Sequence, residues 1–393
     1  MKTRKHIVYL GNYDFPHGFA EVQKITLISK GLILANNTVT VISARGIHNR
    51  ADHPDLKASG EFQGIRYVYT TGDPFYNPSF LKRNLLKVKG FINEFRFLRK
   101  SKKNGQLDYA ILSTHNFYSV LYYCTLAKMF GFKTVLNYVE FYSRVKKKWY
   151  QINSWFNDKM FDKYAPALVD SVLPISEFLI DHLKKNVPHK KYLKIPVLTD
   201  FDKYANCDVL PENRYFLFCG HTNYVEIIKF NIDSFVLLND DAFYLYLVIN
   251  GDENLIQEIR SYISETPLKD RIKLFSKLSE RQLYTYYKNA AALLIPLRPT
   301  YQDVARFPHK IGEYLASGNP VISTNYGEVK FYFKDMDNML IADSYDVNEF
   351  AEKMRFVINN MSEVKKIGLN GRDLAWNKFN YKMQGGVIDN FLN

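Results

Sequence analysis

Residues 6–43 read HIVYLGNYDFPHGFAEVQKITLISKGLILANNTVTVIS. The first five, HIVYL, form a short β-rich apolar run, and the segment after them is a loop rich in glycine, asparagine and proline. A helix is expected over 21–35, because Val22, Ile25, Leu27, Ile28 and Leu32 recur mostly on one helical face. Residues 38–43, TVTVIS, return as a second strand. Strand, glycine-bearing loop, helix and strand make a βαβ unit, so the two strands should lie parallel in one sheet. Strands expected at 109–113, 134–138 and 172–175 extend that sheet. A polar, strand-poor stretch follows, DFDKYANCDVLPEN at 200–213, with the composition of a linker.

A second series begins at Tyr215 (YFLFCG), and strands at 244–249, 272–275, 292–295 and 320–323 alternate with helical patterns. A chain of 393 residues exceeds the length at which one core stops growing. The expectation is therefore α/β, with two doubly wound Rossmann-like domains. They are assigned to 1–205 and 206–375, with a closing helix at about 376–393 that packs back on the first. Two such domains facing across a cleft would place ligands at the carboxyl ends of both sheets.

Charge is unevenly distributed. Residues 1–200 carry 31 Lys and Arg against 15 Asp and Glu, whereas the remainder carries 22 against 25. The basic half suggests an anionic partner such as a membrane surface or a phosphorylated acceptor. Within it, 81–103 (LKRNLLKVKGFINEFRFLRKSKK) holds nine cations and one acid, Glu94. Leu81, Leu85, Val88, Ile92 and Phe95 fall at helical spacing, which fits a helix at an anionic interface and equally a basic helix packed on its domain. A second cluster, RVKKKWY, spans 144–150. Residues 109–127 lack formal charge, but Ser113, Thr114, His115 and Asn116 interrupt the run and argue against a membrane span. The apolar run at 7–10 is too short for a signal peptide. Three cysteines without metal-type spacing suggest a reducing compartment and no structural metal.

The densest chemistry lies at 306–324, RFPHKIGEYLASGNPVIST. Pro308 suits the first position of a helix and Gly318 its end, with a buried strand beyond. Lys310 and Glu313, three apart, share one face beside a helix N-terminus, which is an anion site in waiting. The same residues also fit an ordinary amphipathic helix with an exposed ion pair.

With these motifs assembled, the chain resembles the family-4-type retaining glycosyltransferases of the GT-B fold over nearly its whole length. The loop and helix of 15–43, LPISEFLIDHLKK at 173–185, IPVLTDFDKY at 195–204, RIKLFSKLSERQLYTYYKNAAALLIPL at 271–297 and PHKIGEYLASGNPVIST at 308–324 carry the likeness. The resemblance implies a donor that is a nucleotide sugar. Glu313 would take the ribose diol, as a cleft-facing carboxylate with little part in packing. Arg306 and Lys310 would lie near the diphosphate, and Gly18 would let the first-domain backbone approach it. His115, after the strand at 109–113, would contact the transferred sugar, and Glu140, after 134–138, would face the acceptor. Taken alone, both also fit structural roles in a loop or helix cap.

The sequence departs from the family pattern at three places. Ala305 stands where the family has the first of two glutamates, and His221 and Glu226 stand where it has an arginine and a lysine, with Lys229 near enough to substitute. The expected chemistry places the acceptor hydroxyl beside the leaving diphosphate on one face of the sugar, so cations matter more than a strong side-chain base. The pairs Asp200/Asp202 and Asp335/Asp337 are not expected to hold a metal, and no cofactor is expected. Expected partners are a nucleotide-sugar donor and a glycan or lipid-linked saccharide acceptor, with an anionic membrane surface and no nucleic acid. The expected location is cytoplasmic, peripheral on the inner face of the membrane, in the assembly of a surface polysaccharide or lipopolysaccharide. A non-catalytic GT-B protein that binds nucleotide or glycan is the alternative. A nicotinamide enzyme would need a Gly-x-Gly-x-x-Gly turn that neither first strand has.

Overall fold

The computed structural model describes every residue except 1–3, 12, 13, 19, 146, 148, 206, 209 and 211–213. Parts of the glycine loop, Lys146 and Lys148 of the second basic cluster, and the end of the linker therefore lie outside the described residues. The chain divides into two units, one of residues 1–198 with 381–393 and one of residues 199–380.

Unit 1 is built on an eight-stranded sheet. Its strands are β1 (His6–Gly11), β2 (Thr38–Ser43), β3 (Ser59–Phe62), β4 (Ile65–Tyr69), β5 (Tyr109–Leu112), β6 (Lys133–Tyr138), β7 (Ser171–Pro174) and β8 (Lys191–Tyr192). They run in the order β3-β4-β2-β1-β5-β6-β7-β8, and all neighbours are parallel except the β3–β4 pair at the edge. The helices are α1 (Ala20–Leu34), α2 (Phe80–Lys103), α3 (Phe117–Phe130), α4 (Ile152–Leu168) and α5 (Glu177–Asn186). The central strands are buried on both faces, so β1 and β5 read as unbroken apolar runs.

The C-terminal helix (Tyr381–Phe391) crosses α1 at Gly31. A Cβ there would stand 2.6 Å from the Tyr381 carbonyl oxygen and 2.9 Å from Gly385 Cα, so only glycine permits the approach. Asp389 on that helix takes Lys5 Nζ at 2.6 Å and Asn37 Nδ2 at 2.9 Å.

Unit 2 has a six-stranded, all-parallel sheet made of β9 (Tyr215–His221), β10 (Tyr244–Asn250), β11 (Ile272–Phe275), β12 (Ala292–Ile295), β13 (Val321–Thr324) and β14 (Leu340–Ala342). Their order is β11-β10-β9-β12-β13-β14. Its helices are α6 (Val225–Val236), α7 (Glu253–Ser264), α8 (Glu280–Asn289), α9 (Tyr301–Ala305), α10 (His309–Ala316), α11 (Val329–Tyr332), α12 (Val347–Asn359) and α13 (Met361–Phe379). The strand order reverses direction beside β9, at the place where doubly wound sheets bind ligands.

The units divide at 198/199 rather than at 205/206. The linker reading overlooks that Phe201 and Tyr204 are buried in unit 2, where Phe201 packs edge-on against Trp376 and Tyr204 donates to the Glu313 carbonyl. By the same packing, α13 runs on to Phe379 within unit 2, and the helix that joins unit 1 starts at Tyr381 rather than near 376.

The basic segment is a continuous helix, α2, but it sits the other way round from a simple amphipathic reading. Gly90, Glu94, Leu98 and Ser101 face inward, while Leu81, Leu85, Val88 and Ile92 are exposed. The reason is steric. A Cβ at Gly90 would stand 2.2 Å from the Ala44 carbonyl oxygen, so the glycine lets α2 lie directly on the end of β2. Thr70 Oγ1 donates to the Gly90 carbonyl at 2.9 Å and fixes the contact.

Candidate active site

In unit 2 the candidate residues gather where β9, β12 and β13 end. Helix α10 begins after Pro308, which is the residue before the helix rather than its first, and no side chain caps its N-terminus. Gly318, at φ 81°, follows its last turn. Lys310 Nζ lies 2.8 Å from Glu313 Oε2 and donates to Tyr287 Oη at 2.9 Å, and Tyr284 Oη lies 3.4 Å from Glu313 Oε1. Glu313 is only 4% exposed, so it is no open, cleft-facing carboxylate: aromatic rings of α8 wall it in and the partly exposed Lys310 ammonium pairs with it. Burial works against the charge on Lys310, but neighbouring Cys219 and Glu313 outweigh it and hold the ammonium pKa above its ordinary value.

Arg306 stands one turn before α10. Its Nη2 pairs with Asp303 Oδ1 at 2.6 Å, its Nη1 donates to Tyr224 Oη, and its guanidinium lies 4.8 Å from the Tyr224 ring centre. Its Nε is shielded from solvent and has no hydrogen-bond partner among the described residues. Asp303 is fully buried and shared with Arg298, whose Nε lies 2.8 Å away, while Arg298 Nη1 reaches Glu226 Oε2 at 3.1 Å. Burial alone would raise the Asp303 pKa; the hydrogen bonds from Arg298 and the charge of Arg306 outweigh it and hold the carboxyl below its usual range.

Reading the sequence misses Arg298, Asp303 and Tyr224. Arg298 follows β12 by three residues, yet nothing local shows that it meets a glutamate 72 positions away. The remaining unit 2 candidates are placed differently. His221 ends β9, and its Nδ1 accepts from Asn223 N at 3.2 Å. Lys229 pairs with Glu258 of α7 at 2.8 Å rather than joining the arginine cluster. Ala305 is buried and apolar.

In unit 1, His115 and Glu140 follow neighbouring parallel strands β5 and β6, so both stand at the carboxyl edge of that sheet. The His115 ring stacks on Tyr142 at 5.0 Å, and its carbonyl accepts from Asn157 Nδ2 at 3.0 Å. Asp162 of α4 pins the loop after Glu140 by accepting from Tyr142 N at 2.9 Å and from Ser143 N at 2.6 Å. Gly18 precedes α1, and a Cβ there would stand 2.6 Å from Val22 Cγ2, so its own loop already requires the glycine. Nearby Lys24 is buried with no hydrogen-bond partner for Nζ among the described residues, and burial pushes its pKa down to about 7.

Among the described residues, no group of three or more His, Cys, Asp or Glu is arranged to hold a metal ion. One residue of each Asp-x-Asp pair makes local contacts. Asp200 accepts from Asp202 N at 3.2 Å, and Asp335 joins Ile341 N at 2.7 Å with Lys353 Nζ at 2.6 Å. No helix among the described residues is long and apolar enough to cross a membrane.

Known proteins resemble this chain in part of its sequence and in its fold. Residues 206–374, nearly the whole of unit 2, match the family described as "Glycosyl transferases group 1". A protein of Methanocaldococcus jannaschii, described as the uncharacterized glycosyltransferase MJ1178, is 24% identical over 224 residues, covering 57% of this chain and 59% of that protein. The chain spans about three-fifths of the length of the curated relatives it matches, 59% and 60%. Among solved structures, sucrose-phosphate synthase from Thermosynechococcus elongatus superposes with a TM-score of 0.78 at 18% identity, over 99% of both chains. Anabaena Alr3699/HepE in complex with UDP superposes with a TM-score of 0.69 at 12% identity, over 98% of this chain and 99% of that one. These likenesses establish the fold as GT-B.

Proposed function

We propose that the protein is a retaining glycosyltransferase of the family-4 type, moving a sugar from a nucleoside diphosphate to a glycan acceptor. The observation that carries this reading is that the group 1 match at 206–374 contains the whole Arg298–Asp303–Arg306 and Lys310–Glu313 arrangement. Transfer with retention calls for little acid–base chemistry from the protein and much stabilisation of the leaving diphosphate.

In this reading Arg306 and Lys310 supply that charge, together with the uncapped first turn of α10. Paired Asp303 and Glu313 hold the two cations in place. Glu313 would take the ribose diol, because the two oxygens of a carboxylate can accept both vicinal hydroxyls. Lys229 would contribute only by leaving Glu258, and an ion pair at such exposure is weak enough to exchange. His221 and Gly18 complete the proposed donor contacts, and His115 and Glu140 the contacts to the transferred sugar and the acceptor. The solved complex of HepE with UDP supports a uridine diphosphate donor as the first to test. No metal is part of the proposal.

The acceptor proposed is a lipid-linked saccharide met at a membrane face, in the assembly of a bacterial-type surface polysaccharide or lipopolysaccharide. Support comes from the exposed row Phe80, Leu81, Leu85, Val88 and Ile92 on a helix rich in lysine and arginine. A peripheral cytoplasmic location follows from that acceptor.

A second reading, a GT-B protein that binds nucleotide or glycan without transfer, is favoured by one observation: Glu313 is already engaged by Lys310 and enclosed by α8. Release of nucleoside diphosphate from a panel of nucleotide sugars separates the two, because only the transferase turns its donor over.

A further inference from the structure

Unit 1 contains a concavity of about 370 Å³ whose lining includes neither His115 nor Glu140. It is framed by the turn after β2, the loop of residues 71–77 and the first two turns of α2. Its lining brings together Arg45, Arg83 and Lys87 with the rings of Phe75 and Tyr76. We infer that this cavity is a binding site for a phosphorylated sugar, its phosphate held by Arg45 and Lys87 and its ring set against the exposed ring of Tyr76, since Arg50 already lies 4.1 Å over Phe75.

Two cations carry the argument. Among the described residues, Arg45 has no side-chain hydrogen bond or ion pair, its Nε being shielded from solvent, and Lys87 has no carboxylate partner. Both line the same cavity, and the Arg45 charge, with burial second, holds the Lys87 pKa below its ordinary value. A protein surface normally spreads such groups apart or pairs them, since an uncompensated like-charge contact costs free energy that an anion would recover.

The contact is enforced by backbone. Gly90 seats α2 against the Ala44 carbonyl, which carries Lys87, one turn earlier, to the residue after Ala44. On the other side, Ile47 N and His48 N both donate to the Pro74 carbonyl, at 2.9 and 3.0 Å, and Tyr76 N donates to the His48 carbonyl at 2.8 Å. Both rims are therefore tied by backbone contacts.

Arg83 is turned to the same place by Tyr76 Oη and lies 5.0 Å from that ring. The one acid of the lining, Asp73, is committed elsewhere, with Oδ1 on Phe75 N at 3.0 Å and Oδ2 3.7 Å from Arg50. The volume suits a ligand of monosaccharide size, and an aromatic face beside a cationic pair suits a sugar ring with a phosphate. In the transferase reading this ligand is the phosphate-bearing part of the acceptor, a step that rests on that reading; the binding itself does not.

The test uses the full chain and isothermal titration with glucose 6-phosphate, glucose and UDP. Glucose 6-phosphate should bind, and the Arg45→Gln/Lys87→Gln variant should bind it at least about tenfold more weakly, the loss expected for one or more charge-assisted hydrogen bonds. Glucose should bind wild type more weakly than its phosphate, and Arg96→Gln, an exposed cation on the same helix, should change nothing. The phosphate should also raise the melting temperature of wild type but not of the double variant. Lys87→Gln alone, which removes a repelled charge, should fold normally and keep the test valid if the double variant does not. Vesicles with and without phosphatidylglycerol distinguish the source: binding lost in the double variant but kept in Arg96→Gln supports the site with a lipid phosphate even if the soluble sugar phosphate fails, whereas equal loss in both is surface charge alone and overturns the site. Binding of neither, or equal binding by the double variant, overturns the inference. UDP affinity should be the same in all variants, so failure here is distinguishable from failure of the donor reading.

Discussion

Lys310 Nζ and Glu313 Oε2 lie 2.8 Å apart on α10, with the carboxylate almost wholly enclosed and the ammonium about one-third exposed. The pair is thus part of the packing between α10 and α8 as well as a candidate donor contact. Glu313→Ala should cost stability, about 2 kcal/mol, somewhat below the loss for breaking a fully buried pair because water reaches the lysine. Glu313→Gln, which keeps a hydrogen-bond acceptor, should cost less. Urea titrations of the three proteins would show the order, and an Ala variant as stable as wild type would contradict the packing role.

Glu94 is buried with one hydrogen bond, from Tyr123 at 3.2 Å, and no partner for Oε2. Burial raises its pKa to about 8, opposed only by the Tyr123 hydroxyl. The folded state therefore binds a proton that the unfolded state has released at neutral pH. Its contribution is complete below the ordinary glutamate pKa of 4.5 and is lost as pH rises through about 8. Denaturant midpoints measured at intervals across that window should fall with pH for wild type, and Glu94→Gln should remove this component. An identical slope in both would show that Glu94 ionises normally.

Gly90→Ala should destabilise by about 2 kcal/mol, although alanine is the better helix former, because its Cβ meets the Ala44 carbonyl at 2.2 Å. Gly386, inside the C-terminal helix, has nothing within 4 Å of a built Cβ, so Gly386→Ala should stabilise by about 0.5 kcal/mol. Opposite signs for the two in thermal unfolding are the expected result.

These residues also mark what the sequence makes legible. The parallel series β1, β2, β5, β6, β7 can be read because each strand is a short apolar run and each connection a helical pattern. The edge pair β3–β4 escapes, since SGEF at Ser59–Phe62 is mostly exposed and lacks apolar alternation. The orientation of α2 escapes for another reason: periodicity groups the leucines correctly, but which face is buried depends on a tertiary contact at Gly90. Arg306, Lys310 and Glu313 are legible as a cluster because one helix start collects them. Arg298 and Tyr224 join it only through the folded ends of β12 and β9.

The exposed row on α2 should make association with membranes depend on both apolar and cationic side chains. Wild type is expected to sediment with vesicles containing anionic lipid and to be released as salt screens the charges. Leu81→Glu with Leu85→Glu, both exposed, should reduce sedimentation without changing UDP affinity. Equal sedimentation of wild type with neutral and anionic vesicles would contradict the electrostatic part of this account.

The central claim is turnover of a nucleotide sugar at the arginine–lysine cluster of unit 2. Its most direct measurement is release of nucleoside diphosphate by the full chain from UDP-, GDP- and ADP-linked sugars, with chelator present and with Arg306→Ala as the comparison. The account predicts steady release from one nucleotide class, unaffected by chelator, and a loss of about tenfold or more in kcat/KM for Arg306→Ala, as expected when one leaving-group contact is removed. Tight binding of a nucleotide with no release from any sugar in the panel, with or without saccharide acceptors, would contradict it and leave the non-catalytic reading in its place.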